Sequence, residues 1–357
     1  GSGYTRRSRW TYHLFATMHP KPIDDLQPPH CLDRSGDLAR YTPQSPEMDQ
    51  IVIERFAIED HKPLPPGTGL FVHHPADAGK AFYAVRAEVG QGASDVAATD
   101  VAVEETVGPG RPIIQGRVDV SVFFDYPGER LRVVQWCAPP LANRPNQYYN
   151  WGVFVPRDFG QDDDPRRMQI FFHDRNQRYL KPPWPHRQDT VLLAPHDAPF
   201  ASFGYGYSDT VGTDKPLEEG VVREYFGRRV DAFLAWARQQ WRPHPGMISV
   251  GGRGYWGGTA ALQFGLRRPG QIAWISAESN PDPNPRQTPA EYRRHPWRKN
   301  SRLLPTRRGE IEAVWGTPEQ ALPAESGRVI WDEADLVALV RRSRQPLPPV
   351  NLGAGAM

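Results

Sequence analysis

The chain has 357 residues, with 43 basic and 41 acidic side chains and a formal net charge of +2. That length accommodates two domains, one of them large enough to bury a substantial core, and the near-neutral balance gives no electrostatic case for nucleic acid or an anionic membrane surface. No run approaches the roughly 18 apolar residues that cross a bilayer, and the N-terminus lacks the apolar stretch of a signal peptide.

The partners left in view are a small-molecule ester, a glycan or polymer, or another protein. Gly1-Ser2-Gly3 reads as a cloning remnant, so a targeting signal ahead of it would have been lost. The two cysteines, Cys31 and Cys137, form either one bridge or two buried thiols, and such low usage suits a bacterial envelope protein as well as a cytosolic one. The 38 prolines are about twice the average share, which favours fixed turns and β-rich loops over long helices.

Near the start, His19, Asp24, Asp25, His30, Cys31 and Asp33 are metal-competent types without a ligand spacing, and read as a solvated polar loop. From Gly67 to Val107 the pattern is turn and strand. The runs Gly69–His73, Ala81–Val89 and Val101–Val107 are rich in β-branched and aromatic residues and bounded by Pro and Gly, as antiparallel strands are. His73 and His74, adjacent on a strand, face opposite sides and do not converge on one ion. No metal or cofactor is implied.

Further extended runs, Val118–Phe124 and Leu131–Trp136, lead toward a larger sheet. The rhythm then becomes strand, helix, strand: Tyr149–Val155, Met168–Phe172, Thr190–Ala194, a long helix, Met247–Val250, a second helix, and Gln271–Ser276. Such alternation predicts a mostly parallel sheet covered on both faces. In the long helix Val222, Tyr225, Phe226, Arg229, Val230, Phe233, Leu234, Ala237 and Trp241 recur at three- and four-residue steps, and Pro243 and Pro245 stop it.

Residues 247–262 read as a buried strand, a glycine-packed turn and a helix start, where many hydrolases mount a nucleophile. Anchored on Gly257 and Gly258, the G-x-S-x-G pattern becomes Arg253-Gly254-Tyr255-Trp256-Gly257, which puts Tyr255 in place of a serine. A phenol with a reference pKa near 10 is almost wholly protonated at neutral pH. Tyr255 therefore has three readings: filler of a vacated pocket, ligand contact through its ring and hydroxyl, or an unusual nucleophile. Gly251-Gly252-Arg253-Gly254 lacks the Lys-Ser/Thr of a phosphate-binding loop, so no nucleotide is expected.

In this order residues 149–350 resemble the esterase and polyhydroxybutyrate-depolymerase-like branch of the α/β-hydrolase superfamily. The likeness rests on Tyr149–Pro156, Ile170–His173, Ala194-Pro195-His196, Gly257–Leu262, Arg267–Pro269, Ala313–Gly316 and Val329–Asp332. More loosely, residues 10–107 resemble a fibronectin type III sandwich, with Tyr12–Ala16 as a middle strand and Lys80–Val89 as a late one. The expected architecture is an α/β-hydrolase-like, mostly parallel sheet with helices on both faces, plus an N-terminal β-sandwich-like domain. The expected boundaries are 1–108 for the β domain, incomplete at its start, 109–148 for a β-rich connector, and 149–357 for the hydrolase-like domain, incomplete at its end.

The resemblance implies ester hydrolysis by a serine, a histidine, an acid and backbone N–H donors for the oxyanion. Tyr255 occupies the serine position, and the glycine-rich oxyanion loop becomes His173-Asp174-Arg175-Asn176, with a carboxylate where negative charge would develop. The alternative is that Asp174 and Arg175 pair with each other or face solvent. The usual acid and histidine follow later strands, and the chain stops soon after Pro346–Val350 enters the first of these; Glu278 and His295 are the substitutes at hand.

Candidate binding residues are Arg253, Trp256, His173, Asp174, Arg175, Tyr205 and Tyr207. With Trp184, Phe200 and Phe203, the aromatic ones fall on loops at the carboxyl edge of the sheet, where they suit either stacking on a sugar or polymer or burial in a core. The leading expectation is a catalytically degenerate, esterase-like protein of secreted or periplasmic type that acts in ligand or polymer binding or in assembly. The alternatives are an active carboxylic-ester hydrolase completed by a longer chain or a partner, and a structural subunit of a larger complex.

Overall fold

The computed structural model describes residues 10–17, 31–35 and 56–353, the latter without 66–69, 71, 76, 90–91, 99–101, 118–127, 146, 158, 160–165, 175–178, 180–188, 197–201, 280 and 287–303. The chain divides into two compact units, Gly1–Tyr41 with Pro65–Gly110, and Thr42–Leu64 with Arg111–Met357.

In the first unit β1 (Trp10–Thr17) and β2 (Cys31–Ser35) pair antiparallel. The chain then makes a small hairpin of the second unit, β3 (Ala57–Glu59) and β4 (Lys62–Pro63), before returning for β5 (Gly79–Val89), β6 (Gly92–Ala98) and β7 (Val103–Glu105). The sheet of this unit runs β2-β1-β5-β6, with β7 on β5. The strands expected over Tyr12–Ala16 and Lys80–Val89 are thus paired directly, Tyr12 facing Ala87. The run Gly69–His73 differs: its described residues lie in no strand, and Pro75 just beyond removes a ladder donor.

The second unit is built on β8 (Ile113–Arg117), β9 (Gly128–Cys137), β10 (Gln147–Pro156), β11 (Arg167–Phe172) and β12 (Thr190–Pro195). A hairpin of β13 (Tyr207–Ser208) and β14 (Val222–Arg223) precedes α1 (Tyr225–Trp241). There follow β15 (Ile248–Arg253), α2 (Gly254–Leu266), β16 (Trp274–Glu278), α3 (Leu304–Trp315), α4 (Ile330–Glu333), α5 (Leu336–Arg342) and β17 (Val350–Gly353). Val118–Phe124, expected to be extended, lies outside the described residues.

The eight-stranded sheet runs β17-β16-β15-β11-β12-β10-β9-β8. From β12 to β17 every pairing is parallel, whereas β10 runs antiparallel to both β12 and β9. This is the α/β-hydrolase arrangement: an antiparallel start, a reversal of strand order at β11, and a strand–turn–helix at β15 and α2. Strand β12 is buried at every position and β10 at nearly all, as expected of strands covered on both faces.

Helix α1 lays Phe226, Val230, Phe233, Leu234 and Ala237 into the main core. Phe233 stacks on Trp151 of β10 at 3.7 Å between ring centres. The helix begins at Tyr225 and not at Val222, because Val222 pairs with Ser208 and its N–H is taken by the Pro323 carbonyl. It ends with Arg242 left-handed at φ 45°, ahead of Pro243. Strand β16 starts at Trp274, later than Gln271, since Gln271 N–H instead closes a turn on Arg268 O at 3.1 Å. Cys137 is a free, buried thiol, and the side chain of Cys31 lies outside the described residues.

Candidate functional site

Strand order reverses at β11: β12 is added on one side of it and β15 on the other. In open α/β sheets the crevice at such a reversal, outside the carboxyl ends of the strands, is where ligands bind. Here the crevice is bounded by His173 and Asp174, which follow β11, and by Arg253 and Gly254 at the junction of β15 and α2.

The turn into α2 is made by Gly254, at φ +79°. Only glycine takes that conformation without strain. Helix α2 then comes so close to the sheet that a Cβ on Gly257 would stand 2.3 Å from the Phe172 carbonyl oxygen, and one on Gly252 1.8 Å from that of Gly257. The left-handed tip of the bend is therefore Gly254, with Tyr255 one residue inside the helix, so the sequence alignment places Tyr255 one step past the apex.

Asp174 fills the space above that tip. A Cβ on Gly254 would fall 1.9 Å from Asp174 Oδ2, while Asp174 Oδ1 accepts a hydrogen bond from the Trp256 N–H at 3.2 Å. The first turn of a helix leaves its N–H groups without intrahelical partners, and its partial positive charge favours an anion. No side chain of the Arg253 N-cap residue serves them; Asp174 serves one from across the crevice.

Tyr255 is only 3% exposed. Its hydroxyl donates to Asp282 Oδ2 at 3.1 Å, and its ring stands edge-on to Phe203 and Trp256, with centroids 5.5 Å and 5.3 Å away. Asp282 is itself fixed: its N–H donates to Thr259 Oγ1 at 2.7 Å, and its Oδ1 accepts from Asn284 N–H at 3.1 Å. Thr259 Oγ1 in turn donates to the Tyr255 carbonyl. The phenol is thus one member of a closed hydrogen-bonded ring of groups joining α2 to the segment after β16.

The remaining aromatic candidates belong to one buried cluster, which holds Phe203, Tyr205, Tyr207, Tyr225, Tyr255, Trp256, Trp315 and Trp331. Phe203 and Trp256 lie 4.5 Å apart, the Arg267 guanidinium covers the Tyr205 ring at 5.0 Å, and Tyr207 shares a 3.0 Å hydroxyl–hydroxyl contact with Tyr149. Burial pushes the Tyr149 and Tyr205 hydroxyls above their ordinary range, so both remain protonated. Trp315 Nε1 donates to Gly206 O at 2.7 Å, tying α3 to the same cluster.

Arg253 is exposed, and its register partner on β16 is Glu278, also exposed. His295, Arg175, Trp184 and Phe200 lie outside the described residues. His173 is buried with Nδ1 3.0 Å from its neighbour's backbone oxygen, Asp174 O, and its ring stacks on that of His196 at 5.4 Å. The structure thus brings together His173, Asp174, Tyr255 and Trp256 around the start of α2, and leaves Arg253 at the rim.

Sequence reasoning gave no role to Asp282 or His196. Asp282 stands among Pro281, Pro283 and Pro285, a run whose course pattern alone does not define. For His196 a signal existed, because it follows β12 as His173 follows the neighbouring β11.

No protein-family profile matches the chain, and no curated protein sequence does. Among solved structures it is similar to an S-formylglutathione hydrolase from Agrobacterium tumefaciens, at 13% identity and TM-score 0.42, over 68% of this chain and 78% of that one. It is also similar to acetyl xylan esterase 1 from a Thermoanaerobacterium species, at 10% identity and TM-score 0.36, over 69% and 82% of the two chains. A third is a poly(3-hydroxybutyrate) depolymerase from Bordetella parapertussis, at 13% identity and TM-score 0.33, over 64% and 84%. The fold rests on the strand order itself. Among the described residues no helix is long and apolar enough to cross a membrane.

Proposed function

We propose that this protein carries an esterase-like fold whose reaction centre is closed by its own side chains, and that it works by binding or assembly and not by ester turnover. One observation carries the reading: Asp174 lies where a side chain at the tip of the bend would project, and its carboxylate takes the Trp256 N–H. In an active centre of this fold a nucleophile stands at that tip, and the N–H of the residue after it helps bind the oxyanion. Here Gly254 supplies no nucleophile, and a carboxylate near the donors opposes a developing oxyanion. The Tyr255 hydroxyl is committed to Asp282.

Within this reading, assembly is favoured over stacking on a sugar or polymer, because Phe203, Tyr205, Tyr207 and Trp256 are all buried in one cluster. We take the antiparallel N-terminal unit, similar in pattern to a fibronectin type III module, as the adaptor of such an assembly, and a secreted or periplasmic setting as the one its resemblance suggests. An alkyl fluorophosphonate, which adds to an activated hydroxyl, tests the reading. Intact mass should stay unchanged after incubation, and a stoichiometric adduct on any residue of the crevice would refute it.

A further inference from the structure

His173 and His196 stand one residue past the ends of the adjacent parallel strands β11 and β12. Their rings are nearly parallel, 25° apart with centroids at 5.4 Å, and they are 5% and 3% exposed. Neither ring nitrogen of His196 has a hydrogen-bond partner among the described residues, and none of the described carboxylates pairs with it. Among the described residues, the following groups surround it. The His173 ring comes from the end of β11, with Asp174 acting on His173; the Asn150 carbonyl on β10 accepts the His196 N–H at 3.0 Å, the Tyr179 ring stands edge-on at 5.3 Å, and the Arg229 guanidinium of α1 acts on it electrostatically.

We infer that this stacked imidazole pair is an acid-operated clasp: neutral, it closes the carboxyl edge of the sheet, and charged, it drives β11 and β12 apart at their ends and frees Asp174 from α2. A proton on His196 would place a buried cation against a second imidazole and within the field of Arg229; such a charge is expensive in a dry interior. The direction of titration agrees. Burial, then the positive charges of His173 and Arg229, hold His196 well below the ordinary histidine range, and burial lowers His173 against the opposing pull of the Asp174 carbonyl and carboxylate. The coupling to Asp174 is covalent, since it directly follows His173.

For a histidine whose folded value is depressed, the unfolded chain binds more protons once the pH falls below about 6.5. Stability is then complete above that pH and declines as pH falls toward the folded value. Each such histidine contributes up to about tenfold in the unfolding constant per pH unit in that window.

The test is urea unfolding of the whole chain between pH 7.5 and pH 5, beside His196→Phe, which keeps an aromatic ring without a titrating group. His196→Gln serves if the Phe variant does not fold. The wild type should lose stability more steeply below pH 6.5, by up to about tenfold per pH unit relative to the variant. Protection of the Trp256 amide against hydrogen exchange, corrected for intrinsic rate, should fall on acidification in the wild type and not in the variant. Equal pH slopes, or Trp256 protection unchanged by acid, would overturn the proposal. Because no ester is involved, failure here leaves the closed-centre reading untouched, and the converse holds.

Discussion

Asp174 and Gly254 are matched across the crevice: the carboxylate of one occupies the volume that a side chain on the other would need, with Oδ2 1.9 Å from where a Cβ would stand. The helix end beneath them is therefore satisfied by an anion that belongs to the protein, 3.2 Å from the Trp256 nitrogen. Loop, turn and helix start are interlocked by this contact, and its removal is felt in all three.

Gly254→Ala should destabilise the protein by at least about 2 kcal/mol, combining the cost of a left-handed Cβ with the collision against Asp174. In a double-mutant cycle with Asp174→Gly, urea midpoints should reveal a favourable coupling, since the second change removes the collision but not the backbone penalty. Strict additivity would show that the two residues do not meet.

Asp174→Asn retains an acceptor for the Trp256 N–H and loses only the charge, so it should cost about 0.3–1 kcal/mol by interaction with the helix dipole. Asp174→Ala removes the acceptor as well and should cost about 1–2 kcal/mol, in the range of a lost N-cap. Thermal unfolding of both variants ranks them.

Tyr255→Phe keeps the packed ring and removes the hydroxyl that donates to Asp282 Oδ2, while Asp282 Oδ1 still accepts from Asn284. The expected loss is about 1.5–3 kcal/mol, the range for a hydrogen bond to a charged group. Denaturant titration reads it directly. A neutral effect would mean that the hydroxyl is free of Asp282 in solution.

The Cys137 thiol is pushed up to about 12 by burial, against the smaller opposing effect of the Arg229 charge. In a Cys31→Ser background it should stay unreactive toward a disulfide reagent at pH 8 in the folded protein, because the thiolate is the attacking form. It should react stoichiometrically in urea.

Much of the larger unit was legible because its periodicities are strong. The apolar stripe of α1 gave its core face correctly, since Phe226, Val230, Phe233 and Leu234 all enter the core. Its start was not legible, because Val222 is claimed by a carbonyl about a hundred residues later, at Pro323, and no local pattern announces such a partner. The bend was read as a bend, and the structure puts its left-handed residue at Gly254, one before Tyr255. The aromatic residues near the crevice were assigned to two fates that composition does not separate; their burial against one another follows from the packing of α3 and α4, elements distant in sequence.

The most direct test of the closed centre is the rate of nitrophenyl butyrate hydrolysis by the purified chain, beside Tyr255→Phe and Asp174→Asn. The account predicts progress curves that coincide with buffer for all three proteins. Saturable turnover that either substitution abolishes would contradict it.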